Sequence, residues 1–345
     1  MTDALSPDAS PARADPEKTD LARMADTPLP HPTGTYSAIA CAMEHLVAQT
    51  GSLGIASVWG VRQLVYRFFI AGFGDAAQRA AWTGRTASVA ISEPHAGAHP
   101  KHLASQAEPD RSGSGFRLNG EKIWVTNGPS ADVFVVLAIT SESARRKRYS
   151  AFLVPRDAPG LIVQAMPEND ALFPARHSRL LLRDLRLPRS ALLGGEGEAY
   201  EQMARPFRDI EDAVGASSLL GSFRFLQQRL VSRGSPHEAA VSLGAVVALT
   251  SVFAESAKTV LVALDAGRLN DMSAQLVGLR IMATDLVHRI RTHQSQYDPS
   301  PTEAATRLLA GLDVMLSVAR SARLTRQAKL ASELIDRRNS AGSSK

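Results

Sequence analysis

The chain has 345 residues, of which 44% are hydrophobic and 21% charged, and it carries a net charge of +5 with a pI near 9.5. That length allows two or three domains around a buried core, and the composition is that of a soluble globular enzyme. One cysteine, Cys41, excludes an internal disulfide framework and fits a reducing compartment, so a cytoplasmic location is expected.

Residues 1–34 are rich in Ala, Asp, Pro, Ser and Thr and read as a disordered tail. They lack the charged-then-apolar order of a signal peptide. Helical spacing starts at Thr35 with Ile39, Met43, Leu46 and Val47, and a second apolar helix is expected over Val58–Ala71. Gly72 and Gly74 break it, and Asp75 is placed to cap a short helix ending near Trp82. These helices form a first unit over 35–85.

From 86 to 195 the pattern changes to short β-rich runs: SVAIS, GFRLN, KIWVTN, VFVVLAI, SAFLVP, LIVQAM and SRLLLRDLRLP. Asn119-Gly120 between extended segments predicts a hairpin turn, since a two-residue turn needs positive φ at both positions. The strand after it carries Trp124, Thr126 and Asn127, an aromatic ring and a hydroxyl suited to a planar, hydrogen-bonding ligand. The basic run Arg145-Arg146-Lys147-Arg148 reads as a solvated loop that could attract an anion. Other cations are scattered, which argues against nucleic acid.

Residues 196–340 return to helix, expected over Tyr200–Val231, Pro236–Ala266, Leu269–Gln294 and Thr302–Asn339. No apolar run reaches the roughly 18 residues of a membrane span, so none is expected. His95, His99 and His102 lie close together without a Cys or carboxylate at metal-ligand spacing, and no metal site is expected.

The order of helices, β domain and helical bundle, with four local motifs, resembles the acyl-CoA dehydrogenase flavoprotein family. Phe73–Trp82 (FGDAAQRAAW) resembles the family's helix entry to the β domain. Val89–His99 (VAISEPHAGAH) and Leu118–Asn127 (LNGEKIWVTN) resemble its two flavin signatures, and Leu187–Gly194 (LPRSALLG) its entry into the C-terminal bundle. The resemblance implies an α+β fold: a helical N-terminal domain, a central β-barrel-like domain and a C-terminal four-helix bundle. It implies FAD as cofactor, contacted by Val89, Ile91, Ser92, Gly97, Trp124 and Thr126. It also implies α,β-desaturation of an acyl-CoA, with Glu211 as the base, in the manner of isovaleryl-CoA-type members, and Asp209 in substrate binding. A homodimer, homotetramer or heteromer with a related subunit is implied, with an electron-transfer flavoprotein-like acceptor.

Several positions depart from the family pattern. Ala98-His99 replace its Ser-Asp, Asp212 stands where an Arg is usual, and its Arg-x-x-Phe-Gly segment is reduced to Arg233. The Gly-Gly-x-Gly turn and the Tyr-Glu-Gly-Thr segment are absent. Two alternatives therefore stay open: a catalytically degenerate or half-site subunit of a heteromer, and a flavin monooxygenase of the same fold.

Overall fold

A computed structural model describes residues 34–110, 113–143, 146–231, 237–297 and 300–342. Apart from Gly34 the expected tail lies outside them, as do Arg145, Arg233 and Pro299. The first helical pattern becomes α1 (Tyr36–Thr50) and α2 (Leu53–Val65). Each opens on a hydroxyl that accepts a free N–H of the first turn: Thr35 from Ala38, Ser52 from Ile55. A π-helical turn, Tyr66–Ile70, extends α2. Asp75 then caps α3 (Ala76–Trp82) through a capping box shared with Gln78. Gln78 Nε2 also donates to the carbonyls of Ser190 (2.8 Å) and Leu192 (2.9 Å), which fastens α3 to the end of the sheet.

Eight strands follow: β1 (Ala87–Ala90), β2 (Gln106–Pro109), β3 (Gly115–Thr126), β4 (Val133–Ser143), β5 (Arg146–Pro155), β6 (Leu161–Ala165), β7 (His177–Pro188) and β8 (Leu192–Leu193). They form one open sheet in the order β6-β7-β3-β2-β4-β5-β8, with β1 parallel to β4. The sheet folds over a core of its own built from Phe116, Leu118, Phe134, Phe152, Leu180 and Leu185. The other faces of β4 and β5, with Val133, Val135, Leu137 and Leu153, join the helical core. A strand buried on both faces has no polar face to alternate, which is why VFVVLAI is continuously apolar.

The Asn119-Gly120 hairpin is corrected. GFRLN and KIWVTN are one 12-residue strand, β3, and Asn119-Gly120 lies inside it. There β7 carries an extra residue opposite Asn119, with Asp184 at φ +50. Asn119 Oδ1 accepts the Asp184 N–H at 2.8 Å and so fixes that bulge. Gly120 has φ +150, and a Cβ there would stand 2.3 Å from Ser105 Oγ, so the glycine serves a close approach rather than a turn.

The second helical region comprises α4 (Arg205–Leu230), preceded by a π-helical turn at Tyr200–Ala204, then α5 (His237–Asp265), α6 (Ser273–Tyr297), α7 (Glu303–Ser317) and α8 (Arg320–Gly342). The single helix expected over Thr302–Asn339 is two, broken at Val318 and Ala319, where Ala319 takes φ +55. No Gly or Pro marks this break; side-chain pairing between α8 and α4, described below, holds it. Helix α5 is by length and composition apolar enough to cross a membrane, although no contiguous apolar run in it reaches 18 residues. Ser242, Thr250 and Ser251 interrupt its apolar run, so a search for contiguous apolar residues passes over it. One side, with Val246, Phe253 and Val260, is buried in the helical core; Val241, Val247, Val252 and Val262 are exposed.

Candidate active site

Near the end of β3 the ladder to β7 carries a second bulge. Lys122 pairs with Leu180 and Val125 with Ser178, so Ile123 and Trp124 together oppose Arg179. Trp124 takes φ +58, a conformation such bulges usually give to glycine and an outlier for a bulky aromatic. The bulge turns the indole out of the sheet: Trp124 is 58% exposed. Its backbone N–H points at Met166 Sδ, 3.4 Å away, and its ring meets His177 edge-on at 5.9 Å. Burial lowers the His177 pKa and so disfavours a charged ring beside the indole.

The same bulge collects the other signature. Ile123 N–H donates to Ser92 O at 2.9 Å, bringing Ser92 alongside Trp124 and Thr126. The Ser92 and Thr126 side chains are half-buried, and neither hydroxyl has a hydrogen-bond partner among the described residues. Val89 and Ile91 pack their side chains against the helical core. Gly97, at φ +54, closes a tight loop by exchanging backbone hydrogen bonds with Glu93. Asn127, at φ +61, is buried and donates through Nδ2 to Val58 O at 2.8 Å, tying the end of β3 to α2.

A buried ion pair underlies this face. Lys122 Nζ lies 2.7 Å from Glu93 Oε1 and 3.2 Å from Ile91 O, and its side chain is fully buried. Glu93 also accepts the N–H groups of Ala104 (2.6 Å) and Ser105 (3.0 Å). Burial would raise the Glu93 carboxyl, but Lys122 and these donors outweigh it and hold the pKa below the ordinary value. At Lys122 burial prevails over Glu93 and brings the ammonium down to about 8. The two shifts differ in which effect wins, and the three donors on Glu93 argue for an ionised pair at neutral pH. Composition and spacing gave no sign of this pair, because Lys122 and Glu93 are 29 residues apart.

Glu211 and Asp209 lie elsewhere, on α4. Glu211 lines a cavity of about 190 Å³ with Asp212, Leu219, Arg280, Arg323 and Arg326, between α4, α6 and the α7–α8 break. Solvent reaches the Glu211 side chain, yet protein surrounds it and pushes its carboxyl up to about 8, through burial first and the Asp212 charge second. Accessibility and surroundings pull opposite ways, and the upward direction prevails because no cation pairs with Glu211 among the described residues while Asp212 takes three. Asp212 meets Arg280 at 3.1 Å, Arg323 at 3.5 Å and Arg326 at 3.4 Å. Asp209 pairs with Arg326 and stands 3.6 Å from Arg208. None of the residues around the Trp124 bulge lines this cavity. The structure therefore groups Ser92, Trp124 and Thr126 on one face and Glu211 with Asp209 in another place.

A second cavity, of about 550 Å³, receives the basic run: Arg146, Lys147 and Arg148 line it with Lys101, Tyr149 and Tyr200. Its cations are not a solvated loop alone.

Residues 88–185 match the family model for the acyl-CoA dehydrogenase middle domain. The chain is 30% identical over 172 residues to the human mitochondrial short-chain specific acyl-CoA dehydrogenase, a match covering 48% of this chain and 41% of that protein. It is 32% identical over 144 residues to cyclohexane-1-carbonyl-CoA dehydrogenase of Syntrophus aciditrophicus, covering 41% and 37%. These matches thus span about two-fifths of the curated relatives' length. Butyryl-CoA dehydrogenase from Megasphaera elsdenii superposes with a TM-score of 0.75 at 18% identity, covering 87% of this chain and 83% of that one. An acyl-CoA dehydrogenase from Bacillus anthracis, complexed with FAD, does so at 0.73 and 17% identity, covering 93% and 63%; at such identities the likeness is one of fold. Residues 88–185 thus carry the likeness to an acyl-CoA dehydrogenase middle domain, and the chain as a whole shares the acyl-CoA dehydrogenase fold.

Proposed function

We propose that the protein is a FAD-dependent acyl-CoA dehydrogenase that desaturates an acyl-CoA between its α and β carbons. The carrying observation is the Trp124 bulge: an outward indole held in a strained conformation beside two hydroxyls with no hydrogen-bond partner among the described residues. Such strain persists where the surroundings hold it for a purpose. These residues fit a flavin ring: Ser92 and Thr126 offer hydrogen bonds to its polar edge, and Trp124 forms an apolar wall that excludes water. Val89, Ile91 and Gly97 would contribute backbone contacts. FAD, when bound, supplies the acceptor for the hydride leaving the β carbon.

Glu211 supplies the base. A carboxylate takes the α proton as the C–H bond breaks and the carbon–carbon double bond forms, and a pKa raised toward neutrality suits that transfer. Asp209 acts through Arg326 rather than by direct contact. Lys101, Arg146, Lys147 and Arg148 would receive the phosphates of CoA. Electrons would pass to an acceptor resembling electron-transfer flavoprotein.

A half-site subunit of a heteromer is a second reading, favoured by Ala98-His99 and Asp212, which replace polar and cationic family positions. The visible spectrum separates the two. Yellow protein that bleaches anaerobically with an acyl-CoA supports the dehydrogenase. Colourless protein that gains flavin only when co-expressed with a related subunit supports the half-site and contradicts an independent enzyme.

A further inference from the structure

We infer that the Glu211 cavity selects an acyl chain ending in a carboxylate, which Arg323 and Arg326 bind with help from Arg208. The inference rests on the reading of Glu211 as the base facing the acyl chain.

Cations are in excess here. Arg208, Arg280, Arg323 and Arg326 line the cavity, whose acidic groups are Asp212 and Glu211, with Asp209 beside it on Arg326. Even with Glu211 ionised, as a base must be, three carboxylates face four guanidiniums. Arg323 Nε is buried without an acceptor among the described residues, and Arg208 Nε has only Asp209 Oδ1, 3.6 Å away and beyond hydrogen-bond distance. Crowding shows in both α8 arginines. Arg326 is brought down to about 10 by burial and then by Arg208 and Arg205. Arg323 is lowered by burial and then by Arg280.

The remaining walls, Gly215, Leu219, Met315, Val318 and Ala322, are apolar. Methylenes fit between such walls, and a carboxylate fits the planar fork of an arginine, where its charge relieves the crowding. A hydrocarbon end would leave the guanidiniums unrelieved. The small volume, about 190 Å³, suits a short chain.

The test uses three CoA thioesters with acyl chains of equal, short length, ending in a carboxylate, a carboxamide or a methyl group. Anaerobic flavin bleaching gives kcat/KM for each with the holoprotein. We expect the carboxylate to be preferred by about tenfold or more, the scale of one charge-assisted hydrogen bond. Arg326→Gln and Arg323→Gln should each collapse that preference. Arginines that only hold α8 in place would slow all three substrates alike and leave the ratios intact, which would overturn the inference. Equal kcat/KM for the three with the unaltered protein would overturn it too, while sparing the dehydrogenase reading. Bleaching by none of them would overturn both.

Discussion

Trp124 sits where the backbone prefers glycine, and holding a bulky residue at positive φ costs about 1–3 kcal/mol. Its side chain is largely exposed, so packing repays little of that. Trp124→Gly should therefore raise the midpoint of urea unfolding while lowering the flavin retained after gel filtration. A glycine variant that is less stable and equally yellow would return the indole to a structural role. The Glu93–Lys122 pair carries the opposite kind of load. Lys122→Met strands a buried carboxylate and should cost about 3–5 kcal/mol, part of which Glu93→Gln in the same chain restores. Because the folded state lowers the Glu93 pKa, its stabilisation is present above the unfolded value of 4.5 and lost as pH falls through the folded one. Glu211 has the reverse sign: with its pKa raised to about 8, its contribution is full below 4.5 and lost as pH rises through 8. Glu211→Gln should accordingly gain stability relative to the unaltered protein above pH 8, measured as a difference in melting temperature.

Packing sets the elements that carry these residues. Helix α4, which bears Glu211, approaches α1 at Gly221, where a Cβ would stand 2.4 Å from Glu44 O. A backbone oxygen cannot yield as a flexible side chain can, so Gly221→Ala should destabilise by about 1–3 kcal/mol despite alanine's better helix propensity. Chemical denaturation checks this; a neutral or stabilised variant would show that the helices separate easily. Period and capping made α1, α3 and the apolar strands legible in the sequence, since Thr35, Asp75 and the VFVVLAI run act locally. The α7–α8 break was not legible, because Ala319 has good helix propensity and ion pairs from Arg323 and Arg326 to α4 override it. The bulge at Trp124 was hidden for the same reason: its extra residue is defined by β7, more than fifty positions away. The hydroxyls of the flavin signatures could be named from sequence. Their convergence on one bulge, the ion pair beneath it and the arginines around Glu211 depend on long-range contacts that no local pattern encodes.

At the scale of the molecule, α5 presents Val241, Val247, Val252 and Val262 on its open side. A row of exposed valines on a long helix is a surface that association would cover. Light scattering should give a mass of at least twice the 36.9 kDa chain, and Val252→Lys with Val262→Lys should shift it toward the monomer; a monomer at micromolar concentration would contradict this. The dehydrogenase account itself joins two separated sites, the Trp124 face and the Glu211 cavity, into one reaction. Stopped-flow bleaching of the flavin by an acyl-CoA under anaerobic conditions, comparing the unaltered protein with Glu211→Gln, tests that union most directly. The variant should keep its flavin and lose bleaching, and bleaching of the unaltered protein should quicken as pH rises through about 8. A Glu211→Gln protein that bleaches at the unaltered rate would contradict it.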